Sequence, residues 1–318
     1  MIMKQSRALF TKLLAVTLVT ALLWSCKQNE TDPVTNEAQT QTDSNIETTA
    51  EVEESADGLD TEMTELEQLI GDKIDAARTS ETITFKKCAT VTITRDATTS
   101  TRTVVIDYGN GCEDATAAEN GVNITRTGKL TIVYTGRWRA QNTVKTMTLE
   151  NFAIAITKDG RTLTRTVNGT RIVTNQSTIT FDLVNGLGGT PKYRIQNDLV
   201  ITLPQLDADR PVREVTYKSD KVKTWTEGFG SLSPFDDVFT VTGGFSGVNR
   251  RGVAYTAVIE DEVTHKTECW KSLVFMPALG KVKYTSPNAE ATVDYGDGTC
   301  DRKVTVTVNG STYEFERK

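Results

Sequence analysis

Seven Asn-Gly or Asp-Gly pairs punctuate the chain after residue 80, beginning at Asn110, Asn120, Asp159, Asn168, Asn185, Asp297 and Asn309. Both residues of such a pair tolerate positive φ, which a two-residue hairpin turn demands. Between the pairs lie Thr-, Val- and Ile-rich runs whose apolar residues alternate. Val304, Val306 and Val308 share one face, and Tyr313 and Phe315 share a face beyond the turn at Asn309. Residues 131–134, 146–156, 178–184, 198–203 and 252–259 read the same way, and no helical period appears after Ala77. The pattern predicts an all-β, antiparallel body. From Glu81 to Lys318 it exceeds one immunoglobulin-sized sandwich of about 100 residues, so it forms either tandem sandwiches or one extended, curled sheet.

The body contains an internal echo. Cys88 precedes Val104–Cys112, which carries Asp107-Tyr108-Gly109-Asn110-Gly111; Cys269 precedes Ala291–Cys300, which carries Asp294-Tyr295-Gly296-Asp297-Gly298. A Gly-rich stretch, Asn185–Pro191, divides the body into a half from 81 to 190 and a half from 191 to 318. Four cysteines in an exported body imply a disulfide framework, with three connectivities open. The echo favours Cys88–Cys112 and Cys269–Cys300, each stabilising the fold by roughly 3.5 kcal/mol on the chain-entropy account. A zinc site wants closely spaced cysteines and usually a histidine, which this spacing does not offer.

Export is written at the other end. Lys4, Arg7 and Lys12 precede an apolar run from Leu13 to Leu23, too short for a helix of about 20 residues that spans a bilayer but suited to a cleaved signal over residues 1–25. Leu23-Trp24-Ser25-Cys26 resembles the lipobox of bacterial lipoproteins. The resemblance implies cleavage before Cys26 and acylation of its sulfur, a palmitate-type anchor that holds stably once two chains are attached. Residues 26–58 are acidic, polar and without aromatics, which predicts a disordered tether. Leu59, Met63, Leu66, Ile70 and Ile74 then recur at steps of three and four, which predicts one short amphipathic helix over 59–78.

With the lipobox, the two Asp-Tyr-Gly-(Asn/Asp)-Gly units and Ser246–Tyr255, the chain resembles a group of uncharacterised Bacteroidota outer-membrane lipoproteins. The resemblance implies an outer-membrane address and brings no activity with it. Lys27 after the acylated cysteine, by analogy with other lipoproteins, argues against retention in the inner membrane.

Function is written less plainly. The formal charge of −6 comes from the tether and helix, and the mildly basic body lacks the clustered Lys and Arg of a nucleic-acid footprint. No phosphate loop or nucleophile elbow occurs. The single histidine, His265, would have to serve any Ser-His or Cys-His device. No cofactor is implied. Asp294, Asp297 and Asp301 are close enough to suggest calcium, although turn chemistry explains them without an ion. Trp225 beside Phe229 at a Gly-rich bend, Trp138 between two arginines and Trp270 after Cys269 are the candidates for stacking on sugar rings. The expectation is a lipid-anchored, non-enzymatic envelope protein that binds a glycan or an envelope protein. The alternatives are a self-associating adhesin or fimbrial-type subunit and a carboxylate glycosidase.

Overall fold

In a computed structural model of the chain, the described residues are 33–318 apart from 77–79, 100, 115–122, 138–139, 179, 183–185, 209, 230, 232, 234, 273, 275 and 317–318. The signal peptide, Cys26 and residues 26–32 of the expected tether therefore lie outside the described residues. Residues 33–318 form one compact unit. It opens with a 44-residue helix, α1 (Pro33–Ala76). Sixteen strands follow: β1 (Glu81–Phe85), β2 (Ala89–Arg95), β3 (Arg102–Glu113), β4 (Asn123–Tyr134), β5 (Val144–Lys158), β6 (Arg161–Asn175), β7 (Thr180–Asp182) and β8 (Gly186–Gly188). The rest are β9 (Lys192–Leu203), β10 (Arg213–Glu227), β11 (Val238–Val248), β12 (Ala254–Lys266), β13 (Leu279–Ser286), β14 (Ala289–Asp297), β15 (Lys303–Val308) and β16 (Ser311–Glu316).

Fourteen strands make one antiparallel meander in chain order, with β7 and β8 set aside as a small hairpin. Of the two architectures left open by the sequence, the single curled sheet is the one formed. The halves at 81–190 and 191–318 belong to it jointly, because β6 pairs with β9 across that boundary from Thr166↔Thr202 to Asn175↔Tyr193. The sheet is not closed: β1 and β16 stand at its two edges.

Four of the turn signals divide into two kinds; Asp297-Gly298 falls at the end of β14, and Asn120 and Asn185 lie outside the described residues. Asp159-Gly160 and Asn309-Gly310 form the expected two-residue hairpins, with positive φ at both residues. Asn110-Gly111 and Asn168-Gly169 instead lie inside β3 and β6. There the ladders shift register, at Gly109/Cys112 in β3 and, in β5 opposite Gly169, at Leu149/Phe152. Gly169 has φ 118°, and a Cβ there would strike the carbonyl of Asp198; Gly128 has φ 85° and faces the carbonyl of Asn151 equally closely. Bulges bend strands and raise their twist, so these positions crease the sheet and give it a concave face.

The helix lies in that concavity and crosses the strands. A 44-residue helix is about 66 Å long, and fourteen strands at the usual spacing span about 62 Å, so one element reaches nearly every strand. Asp43 meets Tyr313 of β16, Glu53 meets Tyr217 of β10, Asp60 meets Arg171 of β6, and Glu67 meets Tyr134 of β4. The disordered tether and the short helix are corrected here: residues 33–58 continue the helix that the apolar spacing placed at 59–78, which is described as far as Ala76. The composition argument assumed that a segment must bury apolar surface in order to fold. This segment buries polar side chains, some held by the sheet, as Asn45, Thr49 and Glu51 are, and others by the helix's own carbonyls, as Thr42 and Ser55 are.

Two halves of the helix hold on differently. Leu59, Met63, Leu66, Ile70 and Ile74 are at most 2 % exposed, and burying each contributes about 1.5–3 kcal/mol. The earlier half buries Ala38, Ile46, Val52 and Ala56 together with Gln41, Thr42, Asn45, Thr48, Thr49, Glu51 and Ser55. Asn249 donates to Asn45 at 2.7 Å, Thr49 donates to the Tyr255 hydroxyl at 3.2 Å, and Arg250 grips Glu51. Four sheet tyrosines (108, 134, 217 and 313) donate to four acids of the helix (Glu62, Glu67, Glu53 and Asp43). Burial and these carboxylates push all four phenols above their ordinary range. The helix carries thirteen acids and one base, Lys73. Matching that charge, Arg126 and Lys86 gather around Glu62, and Lys145 pairs with Glu67 at 2.9 Å.

A candidate ligand-binding bay beside the helix

Both expected disulfides are formed. Cys88–Cys112 ties the β1–β2 turn to β3, and Cys269–Cys300 ties the connection after β12 to the one after β14. The echo has a spatial meaning, since Asp107 lies opposite Thr90 and Lys129, and Asp294 lies opposite Thr305 and Lys281. The three aspartates considered for calcium spend their oxygens on turns. Asp294 accepts from the Gly296 amide, Asp297 from the amide and hydroxyl of Thr299, and Asp301 from the Lys303 amide. Asp294 also lies 3.5 Å from Lys281, and among the described residues no acid, His and Cys cluster has the form of a metal site.

Side chains alternate along a strand, so Tyr217, Ser219, Lys221, Lys223 and Trp225 of β10 all face the concave side. The buried part of that row ends at Ser219, beneath the helix. Lys221, Lys223 and Trp225 run on past it, half-buried, toward the β10–β11 connection. Register adds neighbours on the same face: Ile195 and Tyr193 of β9 opposite Lys221 and Lys223, Phe239 of β11 opposite Trp225, and His265 of β12 opposite Phe239. Together these residues form a half-buried patch, the bay, along one flank of the helix.

Trp225 is the expected candidate that the structure places in this bay. Its ring lies 4.9 Å from Phe239 and 5.5 Å, edge-on, from Phe229, and its Nε1 donates to Asp237 at 3.2 Å. Its backbone amide donates to Pro191 at 2.9 Å, and a bulge follows between Trp225 and Glu227. Trp270 sits in a 3-10 turn, Thr267–Ser272, whose other members tie the β12–β13 connection down; its side chain lies outside the described residues. Trp138 also lies outside them. The Cys269–Cys300 bridge is at this same end of the sheet, as is Thr267, whose hydroxyl bonds the Asp237 carbonyl at 3.1 Å. These ties fix the connections around the bay.

Lysines and helix acids supply the electrostatics. Glu53 receives Tyr217 and Lys221; Asp60 receives Arg171 in a two-oxygen grip at 2.7 and 2.8 Å. Arg171 also donates to Asn197, which donates to Ser219, so a connected, buried polar network lies under the helix next to the bay. Burial raises the carboxyl pKa at both positions, but the attraction of Lys221 for Glu53 and of Arg171, Lys223 and Lys145 for Asp60 wins, and both end below the ordinary range. Burial pushes His265 down to about 4, with Lys223 and Lys221 adding to the fall and Glu53 opposing it. The imidazole is therefore neutral at pH 7. Burial raises Asp237, the Trp225 hydrogen bond draws it down, and Asp236 raises it again.

Sequence reasoning found Trp225 and missed its companions. The sequence puts Glu53 in the expected tether and Asp60 at the start of the expected helix, so Lys221 and Lys223 have no visible partners there. No protein family, curated protein or solved structure matches this chain.

Proposed function

We propose that this is a lipid-anchored protein of the bacterial outer membrane, of the Bacteroidota lipoprotein kind, whose body binds a glycan without catalysis. The observation that carries the binding role is the half-buried cluster of aromatic rings and lysines around Trp225, on strand ends held by a disulfide and by interlocked connections. Aromatic rings with polar groups at their edges suit the mixed apolar and hydroxyl surface of a sugar. The anchoring rests on the Leu23–Cys26 lipobox, and the two disulfides fit an oxidising envelope space. No described helix is long and apolar enough to cross a membrane.

Two observations rank the alternatives lower. Glu53 and Asp60 are both held below the ordinary carboxylate range, whereas a glycosidase pair needs one carboxyl kept protonated as the acid; Asp237, which burial raises, spends an oxygen on the Trp225 indole. The edges β1 and β16 have five and six residues and carry Glu81, Glu314 and Glu316, the short, charged form that resists pairing between copies. The test is a glycan array probed with the full-length protein in detergent, beside a Trp225→Ala variant of equal thermal stability. Ligands lost in the variant support the reading. An empty array, or one unchanged by the substitution, refutes it.

A further inference from the structure

We infer that α1 is a hinged strap: residues 33–57 lift off the concave face as one piece, turning at Gly58, while residues 59–76 stay seated. Of the helix's two glycines, Gly71 is buried, whereas Gly58 is half-buried and a Cβ built there meets nothing within 4 Å. No close approach calls for glycine at position 58, and in a helix interior it weakens the structure relative to alanine. Just before it, Ser55 places its hydroxyl on the Glu51 carbonyl at 2.8 Å, a back-bond that slightly destabilises and often bends helices. This weak point coincides with a change in what the helix touches. Ahead of it, Asp43 meets β16, Thr49 meets β12 and Glu53 meets β10, and only the exposed Glu54 reaches back to Arg165 of β6. Beyond it, Asp60 meets β6, Glu62 meets β3 and Glu67 meets β4.

Forces of different kinds hold the two parts. Lifting residues 59–76 would return Leu59, Met63, Leu66, Ile70 and Ile74 to water. Residues 33–57 bury Ile46 and Val52 with two alanines, Ala38 and Ala56, and the rest of their hold on the sheet is polar: Asn45 with Asn249, Thr49 with Tyr255, Glu51 with Arg250, Glu53 with Tyr217 and Lys221. On release both partners of each contact regain water, so the net hold of a hydrogen bond is small. For a buried ion pair, the desolvation suffered on docking offsets most of the attraction. The polar part is therefore the low-stability end of the helix. Off the sheet, so polar a segment has no packing to keep it helical. With Cys26 as the anchor, each release adds residues 33–57 to the link between lipid and body. A flexible coil of that length averages roughly 25–30 Å end to end, so the strap sets how far the Trp225 patch stands from the membrane. That change in reach rests on the lipid anchor proposed above; the hinge does not.

Hydrogen exchange with mass analysis on the full-length protein in detergent tests the hinge, in the parent, Gly58→Ala and Thr64→Ala. In the parent, residues 38–57 should exchange together and well ahead of residues 59–76. Gly58→Ala should raise the protection of residues 38–57 by about fivefold, the helix preference of alanine over glycine, and leave residues 59–76 unchanged. Thr64 is exposed on the seated part, where its hydroxyl bonds the Asp60 carbonyl at 2.8 Å; Thr64→Ala should leave residues 38–57 as they were. Protection of residues 38–57 that Gly58→Ala does not change overturns the hinge. So does an equal gain on both sides of residue 58, which means that the helix opens whole, or an equal gain in Thr64→Ala, which means that any stiffening of the helix suffices. Protection that climbs residue by residue from 38 to 57 is fraying and overturns it too. None of these readouts uses the anchor: a mature protein without acyl chains loses the change in reach and keeps the hinge.

Discussion

Replacing Glu51 with alanine tests whether the polar half of the helix is docked. Arg250 Nε lies 3.1 Å from each Glu51 oxygen, and its Nη2 donates to Oε2. Nη1 and Nη2 also reach the carbonyls of Pro211 at 2.7 Å and Pro204 at 2.9 Å. The side chains are 5 % and 7 % exposed. Removing one partner of such a pair strands a buried charge and costs about 3–5 kcal/mol; the two carbonyls that still hold the guanidinium put this case at the low end. At 1.36 kcal/mol per decade, about 3 kcal/mol is a population change of roughly 10²-fold. Opening of residues 38–58 is read by hydrogen exchange with mass analysis on the full-length protein in detergent. The expected result is amide protection there falling roughly 10²-fold in Glu51→Ala, while the segment anchored by Leu59 to Ile74 changes far less. Glu51→Ala combined with Arg250→Met should recover most of the loss, because an apolar replacement of a buried pair is often neutral. If residues 38–58 exchange freely in the parent, or equally in parent and variant, the docking argument is wrong.

Acid should reveal the sole histidine. The folded pKa of about 4 for His265 lies below the unfolded value of about 6.5, so stability is complete above pH 6.5 and falls between 6.5 and 4 by up to about 3 kcal/mol. His265→Gln should flatten that limb in urea titrations, and its single imidazole resonance in the parent should show no midpoint near 6.5. Replacing Cys269 and Cys300 by serine should lower stability by roughly 3.5 kcal/mol, seen as a lower urea midpoint; a non-reduced digest joining a Cys112 peptide to a Cys269 peptide would contradict the pairing. Cys26→Ser should release the protein from the membrane fraction, and the mature amino-terminal peptide of the parent should carry fatty acyl mass on Cys26. An unmodified peptide starting elsewhere sinks the anchor.

The sheet was legible because its period of two is local: Val304, Val306 and Val308 announce their face without reference to any other strand. The cysteine pairs were legible because each sits in one copy of an echoed unit. What stayed hidden was non-local. Glu51 in the sequence is one acid in a polar run, and only Arg250, 199 residues away, makes its burial tolerable. Asn168-Gly169 carries the same letters as a hairpin turn, yet the strand paired beside it requires a bulge. The bay was half visible for the same reason. Trp225 declares itself by type and by its neighbouring Gly228, whereas the attraction of Lys223 for Asp60 and of Lys221 for Glu53 appears only once the helix is laid across the strands.

The transverse course of the helix sets an order of folding as the chain is delivered to its compartment. The helix arrives ahead of every strand, and its anchors arrive in reverse: Tyr108 is 46 residues behind Glu62, whereas Tyr313 trails Asp43 by 270. The greasy end finds its seat on the earliest strands, while the leading end must wait in water for almost the whole polypeptide. A waiting segment made of Thr, Asn, Gln and Glu stays soluble through that delay, where a leucine-rich one would invite aggregation.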